Sequence, residues 1–215
     1  MARHILRRLI QAVAVLVVTA LVAFLLFNYV GDPVSNMVGQ VASQEDRQEL
    51  RERLGLNDPF LVQFARFVGG AVQGDFGVSY RMQRPVAELI AERLPATVEL
   101  VLASALFAIS VGVSLGIFTA IRPESWLSRA ALTISLLGVS LPTFVIGIAL
   151  IYLFAVVLGW LPSFGRGEVV EIGGWTSGYL TASGLKALIL PAITLGLYQL
   201  AFILRLVRAE MMEAL

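Results

Sequence analysis

The chain has 215 residues, of which 58% are hydrophobic and only 14% are charged. Its mean hydropathy of +0.83 sets it apart from soluble domains, in which about a quarter of the residues are charged. A net charge of +1 argues against a nucleic-acid partner. Cysteine is absent and His4 is the only histidine. A disulfide framework, a zinc site and a Ser–His or Cys–His nucleophile are therefore excluded, and no cofactor is expected.

Four apolar segments are long enough to cross a bilayer, since about 20 helical residues span its ~30 Å hydrocarbon core. They cover about Leu9–Val30, Pro95–Ile121, Ala130–Leu158 and Ala187–Leu204. The third is longer than one perpendicular span needs, and Pro142 near its middle predicts one tilted, kinked helix. The sequence therefore predicts an all-α polytopic membrane protein.

The N-terminal segment is too long for the apolar core of a secretory signal and is followed by no small-residue cleavage site. We therefore expect an uncleaved first span, with residues 1–30 as a cytoplasmic N-terminus and a transmembrane helix. The positive-inside rule places this end in the cytoplasm. With four spans, the same rule puts these basic residues on the cytoplasmic side: Arg3, Arg7, Arg8, Arg122, Arg129, Arg205 and Arg208.

Residues 31–94 are predicted to form an extracytoplasmic helical segment. Ser43 is a candidate N-cap for a charged helix that ends at Gly55. Pro59 then starts a short second helix with an apolar stripe at three- and four-residue spacing. This stripe is expected to pack on the membrane surface or on other helices, and it consists of Phe60, Phe64, Phe67 and Val68.

Residues 95–215 are predicted to form a transport-core transmembrane domain, which opens with Pro95 at the first helical position of the second span. Small residues recur every four positions along this span, a spacing that lets another helix come close. This helix-packing face is Ser104, Ala108, Gly112 and Gly116. It faces either inward or a partner subunit. In the second case, Gly112→Leu should abolish association with that partner.

The only acidic residue inside an apolar segment is Glu99, in the first turns of the second span. Two readings stay open for it. In the first, the helix dipole stabilises the carboxylate at the helix N-terminus, within reach of the membrane interface. In the second, the carboxylate serves a polar pathway or a contact with a binding protein, as ionisable groups in membranes often do. Thr97 shares the same motif.

Prolines within spans free backbone groups and often line cavities in transporters. Pro142 and Pro191 are such prolines, and polar side chains lie near them. We therefore expect a translocation path lined by Ser140, Pro142, Thr143, Pro191, Thr194, Tyr198 and Gln199. The loop at Gly159–Gly184 carries aromatic residues typical of membrane interfaces, namely Trp160, Trp175 and Tyr179.

Several short motifs occur in a fixed order along the chain. They are GDPV (31–34), GDFG before RPV (74–77 and 84–86), RLPATVEL (93–100), GVSLPTF (138–144), GWLP (159–162) and LPAITLG (190–196). In kind and order they closely resemble the first permease subunit of the bacterial dipeptide/oligopeptide/nickel ABC importers. The resemblance implies a type I ABC importer permease fold in the bacterial inner membrane.

That resemblance also implies partners: a second homologous permease subunit, two ATP-binding cassette subunits, an extracytoplasmic substrate-binding protein and the lipid bilayer. The substrates expected are short peptides or related small solutes. Members of the family continue into a cytoplasmic coupling loop and two more spans. We therefore expect a C-terminally truncated or partial form with four of six transmembrane helices, which cannot support ATP-coupled uptake even with all its partners present.

Two other functions remain open at this stage. A non-transporting membrane scaffold or assembly subunit would bind a partner through its external segment. An intramembrane enzyme would need paired catalytic groups, and the sequence offers neither these nor a P-loop. The chain is therefore expected not to be an enzyme.

Overall fold

The structure is a computed structural model that describes residues 1–30, 34, 44–53, 55–79 and 81–214. The GDPV motif, apart from Val34, and the predicted cap Ser43 lie outside these residues. The described chain is mainly helical and forms two compact units, Met1–Glu92 and Arg93–Leu215.

In the described part of the first unit, the chain forms three helices and a small hairpin. Helix α1 is Ala2–Val30, α2 is Gln44–Arg53 and α3 is Phe60–Val72. Strands β1 (Val78–Ser79) and β2 (Arg84–Pro85) pair antiparallel. Most of the apolar side chains described along α1 are exposed, which suits a helix surrounded by lipid.

Aromatic packing joins α1 to α3. The Phe24 ring lies 5.4 Å from Phe60, 5.6 Å from Phe64 and 5.7 Å from Phe67 between centroids. These are favourable distances for aromatic pairs. The predicted phenylalanine stripe of α3 therefore packs on another helix, which is one of the two alternatives given above.

The second unit is built on helix α4, which runs from Val86 to Ile121 and contains Pro95 in its interior. The prediction that Pro95 opens this helix is wrong. The preceding residues Val86–Leu94 already form regular helical turns. The proline then removes only one backbone hydrogen bond of a long helix, a loss that helices of membrane proteins tolerate.

The third apolar segment is divided, and this corrects the prediction of a single kinked helix. Helix α5 (Trp126–Ser140) and helix α6 (Thr143–Ile151), which continues as the π-helix π1 (Tyr152–Val157), meet at an angle of 112°. The cause is Pro142, which disfavours helical geometry at the preceding residue, Leu141, and cannot donate to the previous turn. Thr143 then starts a new helix.

A second hairpin and a long helix complete the unit. Strands β3 (Val170–Ile172) and β4 (Trp175–Ser177) pair antiparallel, and helix α7 is Ala182–Ala214. Gly173 and Gly174 connect the strands with φ of +56° and +82°, the backbone that a two-residue hairpin turn requires. A Gly-Gly pair between VEI and WTS is therefore a hairpin signal in the sequence.

Small residues bring α4 and α7 into close contact. A Cβ added at Gly112 would lie 3.1 Å from Ile203 Cβ, and one added at Gly116 would lie 2.7 Å from Val207 Cβ. On the opposite helix, a Cβ at Gly196 would lie 2.9 Å from the carbonyl oxygen of Ser104. The small-residue face of α4 is thus an internal packing face against α7. A defect in Gly112→Leu would report on this packing and not on a subunit interface.

These contacts also show the direction of the helices. Ser104 lies next to Gly196, Gly112 next to Ile203, and Gly116 next to Val207. The residue numbers rise together along both helices, so α4 and α7 run parallel. The end of α4 and the start of α7 therefore lie at opposite ends of the unit. The chain between them must return across the membrane, although its helices are bent.

Among the described residues, three helices are long and apolar enough to cross a membrane, and the count rises to four if the bent pair is one span. Because α4 and α7 are parallel, the α5–α6–π1 segment makes the additional crossing. The hydrophobic core of this unit is formed between α4, α5 and α7 and includes Ala108, Ala131, Leu200 and Leu204. We therefore interpret the described part of the chain as a multi-pass helical membrane protein in which the bent pair is a fourth crossing.

Candidate functional site

A buried carboxylate marks the first turns of the apolar part of α4. Glu99 is only 2% exposed. Its Oε2 accepts a hydrogen bond from Arg166 Nη2 at 2.8 Å, and its Oε1 accepts one from the backbone N–H of Gly178 at 2.9 Å. A carboxylate in such a place needs a partner cation and hydrogen-bond donors, and the loop before α7 supplies both.

Arg166 is held by the β3–β4 hairpin as well. Its Nη1 donates to Thr176 Oγ1 at 2.8 Å, and its Nη2 donates to the Thr176 carbonyl oxygen at 2.6 Å. The planar guanidinium can therefore bind Glu99 and β4 at once, which a lysine ammonium could not do with the same geometry. Its Nε is buried and has no hydrogen-bond partner among the described residues.

Tyr179 adds a third connection to the same turn of α4. Its hydroxyl donates to the backbone carbonyl oxygen of Glu99. Burial raises the pKa of the Tyr179 phenol, and the nearby negative charge of Glu99 raises it further. The phenol therefore remains protonated, and a donor, throughout the physiological pH range. Tyr179, which the sequence predicts as an interfacial anchor, belongs to a polar cluster. We call it the Glu99 cluster, and it consists of Glu99, Arg166, Thr176, Gly178 and Tyr179.

The loop also contacts the start of α7 closely. Thr181 Oγ1 donates to the carbonyl oxygen of Glu168 at 2.6 Å and accepts from the Gly184 N–H at 3.0 Å. Ser183 Oγ accepts from the Glu168 N–H at 3.0 Å. A Cβ at Gly184 would lie 2.2 Å from the carbonyl oxygen of Gly178, so only glycine fits this approach.

An apolar cavity of about 400 Å³ is lined in part by Pro162–Gly165, the loop segment that directly precedes Arg166 of the cluster. One wall is formed by the loop residues Pro162, Ser163, Phe164 and Gly165. A second wall is formed by Gly147 and Ile151 of α6. The third belongs to α7 and consists of Ala187, Leu190, Pro191, Thr194 and Leu195. Pro191 has no N–H, so the carbonyl of Ala187 loses its usual helical donor. The cavity is therefore lined by apolar side chains and by one residue, Ala187, whose carbonyl oxygen lacks its usual α-helical donor.

The structure brings only some of the predicted path residues together. Pro191 and Thr194 line the cavity, whereas Tyr198 and Gln199 do not. Thr194 Oγ1 donates to the carbonyl oxygen of Leu190 at 2.7 Å. The remaining candidates lie elsewhere: Thr97 is exposed and donates to the Arg93 carbonyl oxygen, and Ser140, Pro142 and Thr143 are exposed at the break between α5 and α6.

The sequence analysis did not identify Arg166 as a functional residue. A signal was available, because a carboxylate inside an apolar span needs a cation and Arg166 is the only Lys or Arg between Gly159 and Leu185. Seven other arginines between residues 31 and 94 were equally eligible by sequence alone. Only the folded loop selects among them.

The chemistry open to this site is binding and positioning. The Glu99 carboxylate already accepts two hydrogen bonds, so it has little capacity to act as a free acid or base. Among the described residues, no group of three or more His, Cys, Asp or Glu side chains could hold a metal ion.

Comparisons with known proteins cover nearly the whole chain. Residues 1–101 match a family model described as the N-terminal part of a binding-protein-dependent transport system membrane component. Residues 112–215 match the model of the binding-protein-dependent transport system inner membrane component.

Individual relatives agree with these models. A Brucella abortus protein that is named as a peptide transport system permease is 36% identical over an alignment of 217 positions, which covers 100% of this chain and 66% of the relative. A dipeptide transport system permease of Alkalihalophilus pseudofirmus is 36% identical over 228 aligned positions, which cover 100% of this chain and 68% of the relative. A glutathione transport system permease of Escherichia coli K12 is 33% identical over 216 aligned positions, which cover 100% of this chain and 65% of the relative. The chain thus spans about two thirds of the length of these relatives.

Proposed function

Because the chain belongs to the family of binding-protein-dependent transport system inner membrane components, we propose that it is a permease subunit of an ABC importer. It forms part of the transmembrane path for short peptides or related small solutes. The observation that carries this proposal is the succession of both family regions along one multi-pass chain. The peptide, dipeptide and glutathione permeases among its relatives favour a peptide-like solute.

The path that we propose passes the cavity beside Pro191 and Thr194. Its apolar wall suits a solute side chain, and the Ala187 carbonyl offers an acceptor for an amide or ammonium donor. A second part of the proposed path is lined at the α5–α6 break by Ser140, Pro142 and Thr143. Glu99 is assigned to holding the loop and not to contacting solute, because its carboxylate is buried and paired.

The subunit requires partners in this proposal. A second related permease completes the membrane path, two ATP-binding cassette subunits supply the energy, and an extracytoplasmic binding protein delivers the solute. The N-terminus is cytoplasmic, in keeping with Arg3, Arg7 and Arg8 and the positive-inside rule. Residues 31–94 and the Gly159–Gly184 loop are then extracytoplasmic.

Uptake in cells tests the proposal. A strain from which the gene is deleted should lose accumulation of a radiolabelled dipeptide panel, and a plasmid copy of the gene should restore it. Peptide uptake that is unchanged in the deletion strain, with related importers also deleted, would contradict the assignment. The membrane-scaffold alternative gains no support from the comparisons or from the contacts among the described residues.

A further inference from the structure

The Glu99 cluster joins two parts of the second unit that are far apart in sequence. Glu99 and Arg166 are separated by 67 residues, and Glu99 and Tyr179 by 80. Among the described residues, Glu99 is the one acidic side chain that is fully buried. The hydrogen bonds to its carboxylate come from Arg166 and Gly178, so they tie the loop to α4 at both ends of the β3–β4 hairpin.

The same loop forms a wall of the cavity. Pro162–Gly165 line it, and Arg166 follows directly in sequence. At the other end of this wall, the N–H groups of Trp160 and Leu161 both donate to the carbonyl oxygen of Phe154 in π1. The wall is therefore a short segment held at both ends, and the Glu99–Arg166 pair is its attachment to α4.

We propose that Glu99 and Arg166 are positioning residues whose ion pair fixes the Gly159–Thr181 loop against α4 and thereby sets the width of the cavity opposite Pro191. The part of this inference that concerns solute rests on the proposed function. Neither residue touches solute. Their loss therefore changes how the cavity fits a solute, and it leaves the energy source of transport unchanged.

Hydrogen exchange of the membrane-reconstituted protein tests the attachment directly. In Glu99→Gln and in Arg166→Met, amides of residues 166–181 should exchange about tenfold faster or more than in the unaltered protein, because this loop opens locally. Amides of residues 196–206 in the core of α7 should keep their protection. Arg129→Gln is the matched control, since it removes an ion pair to Glu124 that is largely exposed, and it should change neither region.

Unchanged exchange of residues 166–181 in Arg166→Met would overturn the proposal. If that variant also loses protection in α7, the milder Glu99→Gln decides. It removes the charge opposite Arg166 but keeps the size of the side chain. Faster exchange confined to residues 166–181 supports the attachment, and exchange equal to that of the unaltered protein refutes it.

Uptake kinetics test the effect on the cavity. In Arg166→Met, the dipeptide concentration for half-maximal uptake should rise several-fold, while the maximal rate per copy in the membrane stays within about twofold, because a wall that has moved weakens binding. Arg166→Lys should restore part of the affinity. A loss of maximal rate alone would contradict the positioning role. Absence of uptake by the unaltered system would contradict the proposed function, while the exchange experiment would still decide whether the pair holds the loop.

Discussion

At the scale of single residues, the second unit depends on glycines placed where other backbone atoms come close. Gly178 and Gly184 illustrate how narrow this requirement is. Both are buried, Gly178 in the loop and Gly184 in the first turn of α7. A Cβ at Gly178 would meet its nearest atom at 3.5 Å, an ordinary contact, whereas one at Gly184 would lie 2.2 Å from a backbone oxygen. Burial alone therefore does not predict which glycine is replaceable.

Gly184→Ala should destabilise the protein by about 1–3 kcal/mol, the usual cost of forcing an extra group into a packed site. Its clash is with backbone and cannot be relieved by a change of rotamer. Gly178→Ala is the matched control and should remain within about 1 kcal/mol of the unaltered protein. Thermal unfolding in detergent measures both. Equal melting temperatures for the two variants would contradict the close approach of Gly178 and Gly184.

At the scale of elements, the parallel pair α4–α7 is the packing on which the unit is built. Lipid gives no hydrophobic drive for two apolar helices to associate, so close van der Waals contact between small residues must provide it. A Cβ added at any of three glycines would lie 3.1 Å or less from an atom of the opposite helix, and these glycines are Gly112, Gly116 and Gly196.

Gly116→Ala should destabilise this pair by about 1–3 kcal/mol, because the new methyl group would meet Val207 Cβ at 2.7 Å. Val207→Ala should recover part of the loss when combined with it, because it removes Val207 Cγ1, which would lie 2.9 Å from the new methyl group. Gly69→Ala in α3 serves as a control, because nothing lies within 4 Å of its added Cβ. Thermal unfolding of the two single variants and the double variant measures the coupling. Strictly additive effects would argue against this contact.

Local patterns explain which elements could be predicted from the sequence. Long apolar runs locate α1, α4 and α7, because only helices satisfy their backbone within a bilayer. The Gly-Gly pair between the strands is likewise a local signal for the turn of the β3–β4 hairpin. The position of the break at Pro142 could be predicted from the sequence. The angle of 112° between α5 and α6 could not, because it depends on how both helices pack against α7. Partners such as Arg166 for Glu99 could not be predicted, because no local rule links residues 67 positions apart.

At the scale of the whole molecule, the direction of helices decides the topology. Parallel α4 and α7 require the chain between them to cross the membrane, which distinguishes four crossings from three helices with a re-entrant segment. The two arrangements differ in one observable respect. With four crossings, the α4–α5 connection and the Gly159–Thr181 loop lie on opposite sides of the membrane.

Single-cysteine labelling tests this topology cleanly, because the chain contains no cysteine. Ser163→Cys should react with a membrane-impermeant maleimide in intact spheroplasts. Glu124→Cys, in the α4–α5 connection, should react only after the membrane is permeabilised. Reaction of both positions from the same side would contradict the four crossings.

The claim that the Pro191 cavity lies on a solute path is tested most directly by protection of a cysteine within it. Thr194→Cys would be placed in the complete importer and exposed to a thiol reagent with and without a transported dipeptide and its binding protein. Leu206→Cys, which is exposed on the same helix outside the cavity, is the control. We predict that the dipeptide slows labelling of position 194 several-fold and leaves position 206 unchanged. Equal labelling of position 194 with and without the dipeptide would contradict a path through this cavity.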